Sequence, residues 1–527
     1  MLRVRWLGRV RYRDAHALQR GLFAHSADDH LLLLEHPHVF TLGVRADLAN
    51  VLVRPADVGA ELVKTDRGGD VTYHGPGQLV GYPVLTVPGK RGGGMADTVA
   101  YVESVEQLVI DALADLGLSG ASRLRGYPGV WIDERKICAV GVKLTRGRTM
   151  HGFALNVDPD LAYFGHIVPC GIRDKQVTSL AAEGVDVTMR DVVDAVTARA
   201  VDRWGNGRWE RADVSWARPE LADGLSISAP KPEWAKARLH ITTDYVRLKR
   251  TMRDLALTTV CEEAGCPNIF ECWSAGTATF MINGDRCTRA CGFCQVDTRL
   301  PLPVDPDEPA RVAEAVERMG LSFAVITAVA RDDRPDGGAE GFAACIDEIR
   351  ARTPGVGVEV LIPDCKGDPA ALATVFDARP DVLNHNIETV ARLQRVVRPS
   401  ASYARSLAVL ARAKDAGLVT KSGLILGMGE TEDEVLAALA DLHAVGVDIV
   451  TIGQYLRPTA DHLPVVRWWT PQEFDALQRE AEAMGIGHVV ASPLTRSSYH
   501  AREAATATPV ALQARRSASG DARPAVV

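Results

Sequence analysis

Six cysteines lie close together near the middle of this chain, and their spacing limits what the surrounding residues can fold around. They form two triplets, one spaced C-x4-C-x5-C over residues 261–272 and one spaced C-x3-C-x2-C over residues 287–294. A [4Fe-4S] cluster needs four ligands, so each triplet leaves one iron open to a ligand from elsewhere. A cluster with an open iron is a reactive centre as well as an electron carrier. The two triplets therefore predict a radical enzyme with a second, auxiliary cluster.

Zinc and disulfide bonds are the alternative uses of such cysteines. Zinc sites usually pair C-x2-C elements to reach four ligands, and here only Cys291 and Cys294 have that spacing. Ten cysteines in 527 residues are too few for a disulfide-stapled chain, and the first residues show no secretory signal. Both alternatives stay open, with zinc the stronger of the two.

The overall composition is that of a globular protein with several domains. A chain of 527 residues is longer than a single hydrophobic core usually accommodates, so two or more domains are expected. Hydrophobic residues make up 46% of the chain and charged residues 24%, which is typical of soluble proteins. The net charge of −7 gives no bulk attraction for nucleic acid. The longest aliphatic run near the start, residues 31–34, is far too short to cross a bilayer. We expect a cytoplasmic protein with no nucleic-acid and no membrane partner.

The pattern along the chain changes once, near residue 216. The pattern of residues 1–215 predicts a mixed α/β domain. Within it, residues 99–116 have apolar residues at helical spacing, and Gly117 is the expected C-cap of that helix. Residues 216–232 are small, polar and proline-containing, which predicts a linker. Residues 233–503 alternate short apolar runs with helices, which predicts a parallel sheet or barrel with ligands at the carboxyl ends of its strands. Residues 504–527 lack any pattern and predict a disordered tail.

The cysteine loop of the second half, residues 281–294, resembles that of the radical S-adenosylmethionine superfamily. A segment at residues 423–430 is similar to the superfamily's fifth-strand motif behind the adenine, and glycines at 337–338 stand where the methionine part binds. The resemblance implies a partial (β/α) TIM-type barrel and S-adenosylmethionine as the ligand of the open iron. The residues it implies for cofactor binding are Phe293, Gly337, Gly338, Gly423, Ile425, Gly427 and Glu430.

Residues 261–273 look like the auxiliary-cluster motif of the lipoyl synthase family, and the likeness covers residues 233–503. A serine of the family's last motif ligates the auxiliary cluster, which we assign to Ser498, with Ser497 as the alternative. The resemblance implies that the auxiliary cluster is consumed in the reaction, because its sulfides are transferred to carbons 6 and 8 of a protein-bound octanoyl chain. The implied ligands are Cys261, Cys266, Cys272 and Ser498 for the auxiliary [4Fe-4S] cluster, and Cys287, Cys291 and Cys294 for the S-adenosylmethionine-binding one.

The first half carries a glycine-rich loop at residues 67–78, then segments at 136–141, 151–156 and 169–172. The loop is not a phosphate-binding Walker sequence. In this order the segments look like the lipoyl(octanoyl)transferase family, within the biotin/lipoate protein ligase-like α/β fold. The resemblance implies a substrate-binding set of Arg67, Gly68, Gly69, Asp70, Val71, Thr72, Tyr73, His74, Ala139, Val140, Gly141, Gly152, Phe153 and Ala154.

In that family a cysteine carries the acyl group, which we assign to Cys170. A nearby cation raises the thiolate fraction of such a thiol. The family pattern gives this role to Lys136, although by residue type alone Lys143 is as good a candidate. The expected path moves octanoyl from octanoyl-acyl carrier protein to Cys170 and then to a lysine of a lipoyl domain, without ATP.

The leading hypothesis is a bifunctional enzyme of lipoate biosynthesis, with octanoyl transfer in the first half and sulfur insertion in the second. Its expected partners are octanoyl-acyl carrier protein, lipoyl domains of 2-oxoacid dehydrogenase E2 subunits, the glycine cleavage H protein and an electron donor. Two rivals are a non-catalytic docking module in the first half and an iron–sulfur or zinc scaffold in the second. Retention of Lys136 and Cys170 argues against the first rival, and the glycine segments argue against the second.

Overall fold

The computed structural model describes residues 1–89, 96–171, 175–236, 243–259, 268–269, 277–499 and 501–507, without the side chains of Cys170 and Asp244. The chain divides into two compact units, Met1–Trp216 and Ala217–Val527. The first cysteine triplet, Cys261, Cys266 and Cys272, lies outside the described residues.

The first unit is built on a nine-stranded mixed sheet and a separate three-stranded sheet. Its strands are β1 Leu2–Arg9, β2 Asp29–Glu35, β3 Val39–Leu42, β4 Glu61–Lys64, β5 Val71–His74, β6 Gln78–Val84, β7 Ala121–Leu124, β8 Tyr127–Ile132, β9 Arg135–Thr145, β10 Arg148–Asn156, β11 Gln176–Val177 and β12 Trp209–Arg211. The large sheet has the order β12-β1-β2-β6-β10-β9-β8-β7, with β11 beside β9, and the small one the order β4-β3-β5.

Three helices accompany these sheets, namely α1 Tyr12–His25, α2 Thr98–Asp115 and α3 Met189–Trp204. The carboxylate of Asp97 accepts hydrogen bonds from the first free amides of α2, and a Thr188–Asp191 capping box starts α3. Helices α2 and α3 share one hydrophobic core with the large sheet, while α1 contacts β6 and β10. The predicted mixed α/β first half is therefore confirmed.

The second unit contains an eight-stranded sheet whose strands follow in chain order. They are β13 Thr258–Thr259, β14 Thr277–Ile282, β15 Phe323–Ala328, β16 Gly357–Leu361, β17 Val382–Asn384, β18 Thr420–Leu426, β19 Ile449–Gln454 and β20 His488–Ala491. Every pair from β14 to β20 is parallel, while β13 runs antiparallel to β14. Among the described strands β13 and β20 are unjoined edges, which agrees with the expected partial barrel.

Helices connect these strands, as the βα alternation predicts. They are α4 Thr243–Asp254, α5 Glu308–Met319, α6 Ala339–Arg352, α7 Pro369–Asp377, α8 Gln394–Val397, α9 Tyr403–Asp415, α10 Glu432–Ala444, α11 Pro471–Met484 and α12 Ala501–Ala507. None of the helices in the described ranges is both long and apolar enough to cross a bilayer.

Two segments with weak sequence patterns make contacts within the second unit. In the predicted linker, the amide of Leu225 donates to the carbonyl oxygen of Val465 at 2.7 Å. The predicted tail starts too early, because residues 504–507 belong to α12. There Ala501 and Ala504 are small enough to pack against Phe323 and other apolar side chains of the sheet.

A buried ion pair lies inside the parallel sheet. The Nζ atom of Lys421 on β18 donates to both carboxylate oxygens of Glu359 on β16 at 3.0 Å, and both side chains are fully buried. The amide of Asn384 on β17 donates to the same carboxylate at 2.9 Å. The three groups hold neighbouring strands together, but each charge depends on the other because the interior solvates neither.

We expect Lys421→Met to destabilise the second unit by about 3–5 kcal/mol, because it leaves the Glu359 carboxylate buried without its cation. The double variant Lys421→Met with Glu359→Leu should recover most of that loss, since it removes both charges. Hydrogen exchange of the β16 and β18 amides in the full chain measures the difference. A double variant no more stable than the single one would contradict this account.

Candidate active sites

A cavity of about 570 Å³ opens at the carboxyl ends of the parallel strands in the second unit. This volume lies in the range of about 300–1,000 Å³ that small-molecule sites occupy. Its walls come from the ends of β15, β16, β18 and β19, from the loop after β17, and from the segment after β20. Representative lining residues are Thr327, Leu361, Asn386, Gly423, Gln454 and Thr495. The cavity therefore lies where the parallel topology predicts a ligand.

The second cysteine triplet lines this cavity. Cys287, Cys291 and Cys294 are free and half-buried, and the amide of Ala330 donates to the Cys287 sulfur at 3.3 Å. Burial raises the pKa of the Cys291 thiol and raises that of Cys294 to about 12. As bare thiols they would stay protonated, so a bound metal group is what would hold them as thiolates. Three convergent thiols around a ligand-sized cavity fit a cluster with an open iron.

A charged network holds the cluster loop, and its central residue, Arg289, itself lines the cavity. The guanidinium of Arg289 donates to both oxygens of Asp332, at 2.7 and 2.8 Å, and to Asp364 at 2.6 Å. Although burial alone would lower it, the two carboxylates raise the pKa of Arg289. Burial would likewise raise the pKa of Asp364, but the cations Arg289 and Arg405 hold it below its usual range. Arg289 and Asp364 are thus both charged at neutral pH.

The loop after β17 brings further polar groups to the cavity. The amide of Asn386 donates to the Glu388 carboxylate at 3.0 Å, and Arg398 donates to the carbonyl oxygens of Asn386 and Ile387. Burial raises the pKa of Glu388, partly offset by Arg398. Glu388 also has a φ of +64°, a costly conformation for a residue with a side chain. Sequence reasoning did not single out Glu388 or Arg398 as site residues.

The structure places the residues expected to bind S-adenosylmethionine in two groups. Phe293, Gly423 and Ile425 line the cavity. A Cβ on Gly423 would approach the Thr451 hydroxyl to 2.7 Å, so the glycine keeps this wall open. The others, which do not appear in the cavity wall, are Gly337, Gly338, Gly427 and Glu430.

The last four residues have roles in the surrounding loops. Gly338 is the N-cap of α6 with a φ of +89°, and a Cβ there would meet the Asn283 amide at 2.6 Å. The Glu430 carboxylate accepts hydrogen bonds from the amides of Gly427 and Met428 at 2.8 and 2.9 Å. The hydrogen bonds of Glu430 therefore fix the backbone of the loop after β18.

The segment after β20 carries the two serines expected near the auxiliary cluster. Ser497 lines the cavity together with Thr495 and Arg496, while Ser498 is half-buried beside them. With the first cysteine triplet outside the described residues, the assignment of Ser498 stays a prediction.

The first unit has its own small cavity, of about 50 Å³. Of the expected substrate-binding residues, all but Val71 and Tyr73 line it. Side chains of a strand alternate between its two faces. On β5, Thr72 and His74 therefore face the cavity, while Val71 and Tyr73 pack with Phe40 in a separate apolar cluster.

Three further residues line this cavity, namely Tyr12, Tyr82 and His151. The His151 ring nitrogen Nε2 lies 2.8 Å from Asp66, which also accepts from Lys143 at 2.6 Å. His151 is strained, with a φ of +59° inside β10. His151 is the first residue of the 151–156 segment, so the sequence held a signal for it, whereas the helix that carries Tyr12 and the strand that carries Tyr82 gave none.

Of the expected catalytic pair, the structure describes the side chain of Lys136 but not that of Cys170. Lys136 is buried on β9, with its Nζ atom 4.7 Å from the centre of the Trp131 ring. The backbone amide of Thr178 donates a hydrogen bond to the Lys136 carbonyl oxygen. This bond connects β9 to the segment that follows Cys170 in the chain. Lys143 is instead engaged by Asp66. Cys170 belongs to a single 3-10 turn, Pro169–Gly171, and its side chain is outside the description.

The glycine-rich loop supports the backbone of that turn. Asp70 accepts a hydrogen bond from the Asn50 amide at 2.6 Å, and the Asn50 carbonyl oxygen accepts one from Val168 at 2.8 Å. Gly171 has a φ of +71°, and a Cβ there would lie 2.9 Å from the Asp70 carboxylate. The cysteine turn is therefore packed closely against Asp70.

Comparisons with known families separate the two units. Residues 11–200 match the family described as Lipoyl protein ligase A/B catalytic domain. Residues 281–442 match the Radical SAM superfamily, and residues 221–266 match the N-terminal domain of lipoyl synthase of that family.

Curated relatives match the second half. Lipoyl synthase of Mycobacterium tuberculosis (strain H37Rv) is 57% identical over 284 residues, which are 54% of this chain and 91% of the relative. Lipoyl synthase of Mycobacterium leprae (strain TN) is 57% identical over 289 residues, which are 55% of this chain and 92% of the relative.

Solved structures give weaker likenesses. Lipoate-protein ligase A bound with ATP is 18% identical, covers 41% of this chain and 89% of its own, and has a TM-score of 0.35. Methylornithine synthase is 14% identical, covers 50% of this chain and 84% of its own, and has a TM-score of 0.31. Scores this low support no argument beyond the sequence matches.

Acid should destabilise the first unit through His36, whose ring contacts the Val10 carbonyl oxygen at 2.7 Å and the Tyr82 hydroxyl at 2.8 Å. Burial lowers the pKa of His36 to about 4, against about 6.5 in an unfolded chain. Because the unfolded state binds the proton first, stability is lost as the pH falls from about 6.5 to about 4. The loss should be about 2 kcal/mol at pH 5.

Hydrogen exchange of the β1 and β2 amides at pH 7 and pH 5 measures this loss in the full chain. His36→Gln should weaken the pH dependence, whereas His25→Gln, at an exposed position, should keep it. An equal pH dependence in wild type and His36→Gln would contradict the assignment.

Proposed function

This chain belongs to the lipoyl synthase family, and on that premise we propose that it catalyses two successive steps of lipoate biosynthesis. The first unit transfers octanoyl from octanoyl-acyl carrier protein to a lysine of a lipoyl domain. The second unit inserts sulfur at carbons 6 and 8 of that protein-bound chain. The observation that carries the proposal is the second cysteine triplet, which lines a ligand-sized cavity at the carboxyl edge of a parallel sheet.

In the first unit, the Cys170 sulfur attacks the thioester carbonyl of the carrier protein. A new carbon–sulfur bond forms, the carrier's thiol leaves, and the proton released by Cys170 passes to that thiol. The ε-amine of a lipoyl-domain lysine then attacks the Cys170 thioester, an amide forms, and the cysteine thiol is regenerated. No step needs ATP, since a thioester is the activated form of the acyl group.

The surroundings of Lys136 and the cavity support these steps. Lys136 is buried against Trp131, so its charge would act on a neighbouring thiol with little screening by water. Lys136 can hold and return the proton as each thioester forms and breaks. Gly68, Gly141 and Gly152 line the narrow cavity, and a Cβ at each would approach a backbone oxygen to 3.3 Å or less, so these glycines let the segments of the cavity wall lie close together.

In the second unit, the substrate is a saturated chain with neither an acidic proton nor a leaving group. When bound, the cluster and S-adenosylmethionine supply a radical that can remove hydrogen atoms from such carbons. Cys287, Cys291 and Cys294 would hold that cluster. The cavity walls would exclude water and fix the ligand, with Glu388 and Arg398 offering charged groups and Gly423 leaving room for it.

The partners follow from this chemistry. Both steps use protein-bound substrates, so octanoyl-acyl carrier protein and the lipoyl domains of 2-oxoacid dehydrogenase E2 subunits or the H protein must reach the chain. An electron donor must reduce the cluster before each radical is made. We infer two [4Fe-4S] clusters, the second held by Cys261, Cys266, Cys272 and Ser498 and consumed as the source of sulfur.

We expect the full chain, mixed with octanoyl-acyl carrier protein, to form an octanoyl adduct on the peptide that contains Cys170. Mass spectrometry detects it as a mass gain that hydroxylamine removes. Cys170→Ala should lose the adduct and octanoyl transfer to an apo-lipoyl domain. Cys138→Ala, at a buried thiol of the same unit, should keep both. Transfer retained by Cys170→Ala would refute the assignment.

We expect anaerobic, reconstituted protein to carry iron and sulfide for two clusters. Replacing Cys287, Cys291 and Cys294 by Ala should halve the iron and abolish reductive cleavage of S-adenosylmethionine. Cys345→Ala, at a buried core cysteine, should keep the iron content and the cleavage. Stoichiometric zinc with little sulfide in the wild-type protein would overturn the cluster assignment.

A further inference from the structure

A fully buried carboxylate, Asp364, lies behind the cluster loop and reaches none of the cavity wall. It follows β16 at the carboxyl edge of the sheet. Its oxygens accept hydrogen bonds from Arg289 at 2.6 Å and from the Lys366 amide at 3.0 Å, and Arg405 lies at 3.5 Å. A buried charge needs such partners to be tolerated, so its position is closely determined.

The turn that presents Asp364 is strained. The next three residues all have positive φ, namely Cys365 at +44°, Lys366 at +52° and Gly367 at +66°. Two of them carry side chains, for which this conformation is costly. Strain of this kind persists only where the surrounding contacts enforce it, and it is common at functional sites. Here the enforced conformation turns the Asp364 carboxylate towards Arg289.

Arg289 connects this carboxylate to the cluster loop, because it lies between Cys287 and Cys291 in the chain. Its guanidinium also holds Asp332 through two hydrogen bonds. The amide of Asp332 donates in turn to the Thr288 hydroxyl at 3.0 Å. The loop is thus tied to Asp332 at two successive residues.

The network also reaches a sulfur atom. The Thr288 hydroxyl donates to the Ala330 carbonyl oxygen at 2.9 Å, and the Ala330 amide donates to the Cys287 sulfur at 3.3 Å. A displacement of Arg289 would therefore move the backbone that positions a cluster ligand.

The charges in this network are close to the cluster site and largely shielded from water. The groups that face Asp364 are Arg289, Arg405 and the neutral ring of His385, whose pKa burial lowers to about 4. Because the interior has a low effective dielectric constant, charges here act over longer distances than at the surface. A negative charge opposes the addition of an electron nearby, and a positive charge favours it.

We propose that Asp364, with Asp332, is a positioning residue that fixes Arg289 in the cluster loop and, by its negative charge, lowers the midpoint potential of the cluster held by Cys287, Cys291 and Cys294. Asp364 does not line the cavity, so it acts by holding Arg289 and by its charge, without touching substrate or cofactor. The brace would also keep the loop rigid while S-adenosylmethionine binds and leaves. This inference concerns the reductive step, and it stands whether or not the first unit transfers octanoyl.

The test is a redox titration of reconstituted full-length protein, followed by electron paramagnetic resonance. The signal of the relevant cluster is recognised by its change when S-adenosylmethionine is added. Asp364→Asn keeps the shape and one acceptor oxygen but removes a buried negative charge. We expect full iron content, a midpoint potential higher than wild type, and a several-fold larger reduced fraction at a fixed solution potential above the wild-type midpoint.

Asp441→Asn is the matched control, since Asp441 is a buried carboxylate on α10 that accepts a hydrogen bond from the Tyr403 hydroxyl and not from Arg289. It should leave the potential unchanged. If Asp364→Asn yields no folded protein, Asp332→Asn gives the same test at a partly exposed carboxylate and should shift the potential in the same direction. A wild-type potential and spectrum in the folded variant, or an equal shift in Asp441→Asn, would overturn the proposal.

Discussion

Parallel pairing of the strands from β14 to β20 is the constraint on which the second unit depends. Because consecutive strands run in the same direction, their carboxyl ends meet at one edge, and segments far apart in the chain converge there. The cysteine loop after β14, the loop after β17 and the segment after β20 all reach one cavity in this way. The buried Lys421–Glu359 pair lies across the same strands, so it supports the sheet without taking part in the site.

The sequence predicted the alternation of strands and helices and the type of each site better than it predicted which atoms each side chain contacts. Spacing alone pointed to the second triplet as ligands, since three thiols in one short loop have few other uses. Resemblance supplied the substrate-binding residues of the first unit, most of which line its cavity. It could not tell that Gly338 caps a helix or that Glu430 holds backbone amides, because a motif records which residues recur and not which atoms they contact.

Residues that reach a site from outside its motifs were the ones missed. Tyr12 comes from a helix and Tyr82 from an otherwise ordinary strand, and nothing in their neighbours marks them. Glu388 and Arg398 lie in the chain that follows β17, and only the fold shows that both line the cavity. The brace around Asp364 needed three distant segments to be brought together. Side-chain networks of this kind depend on tertiary packing, which local patterns do not encode.

The alternation of side chains along β5 has a consequence for how this protein can vary among its descendants. Thr72 and His74 face the small cavity, whereas Val71 and Tyr73 face an apolar cluster. Inserting or deleting one residue just before the strand would exchange the two sets and turn every side chain to the wrong face. Substitutions could be accepted here one at a time, but a change of length could not. We therefore expect the length of this segment to tolerate less change than its side chains do.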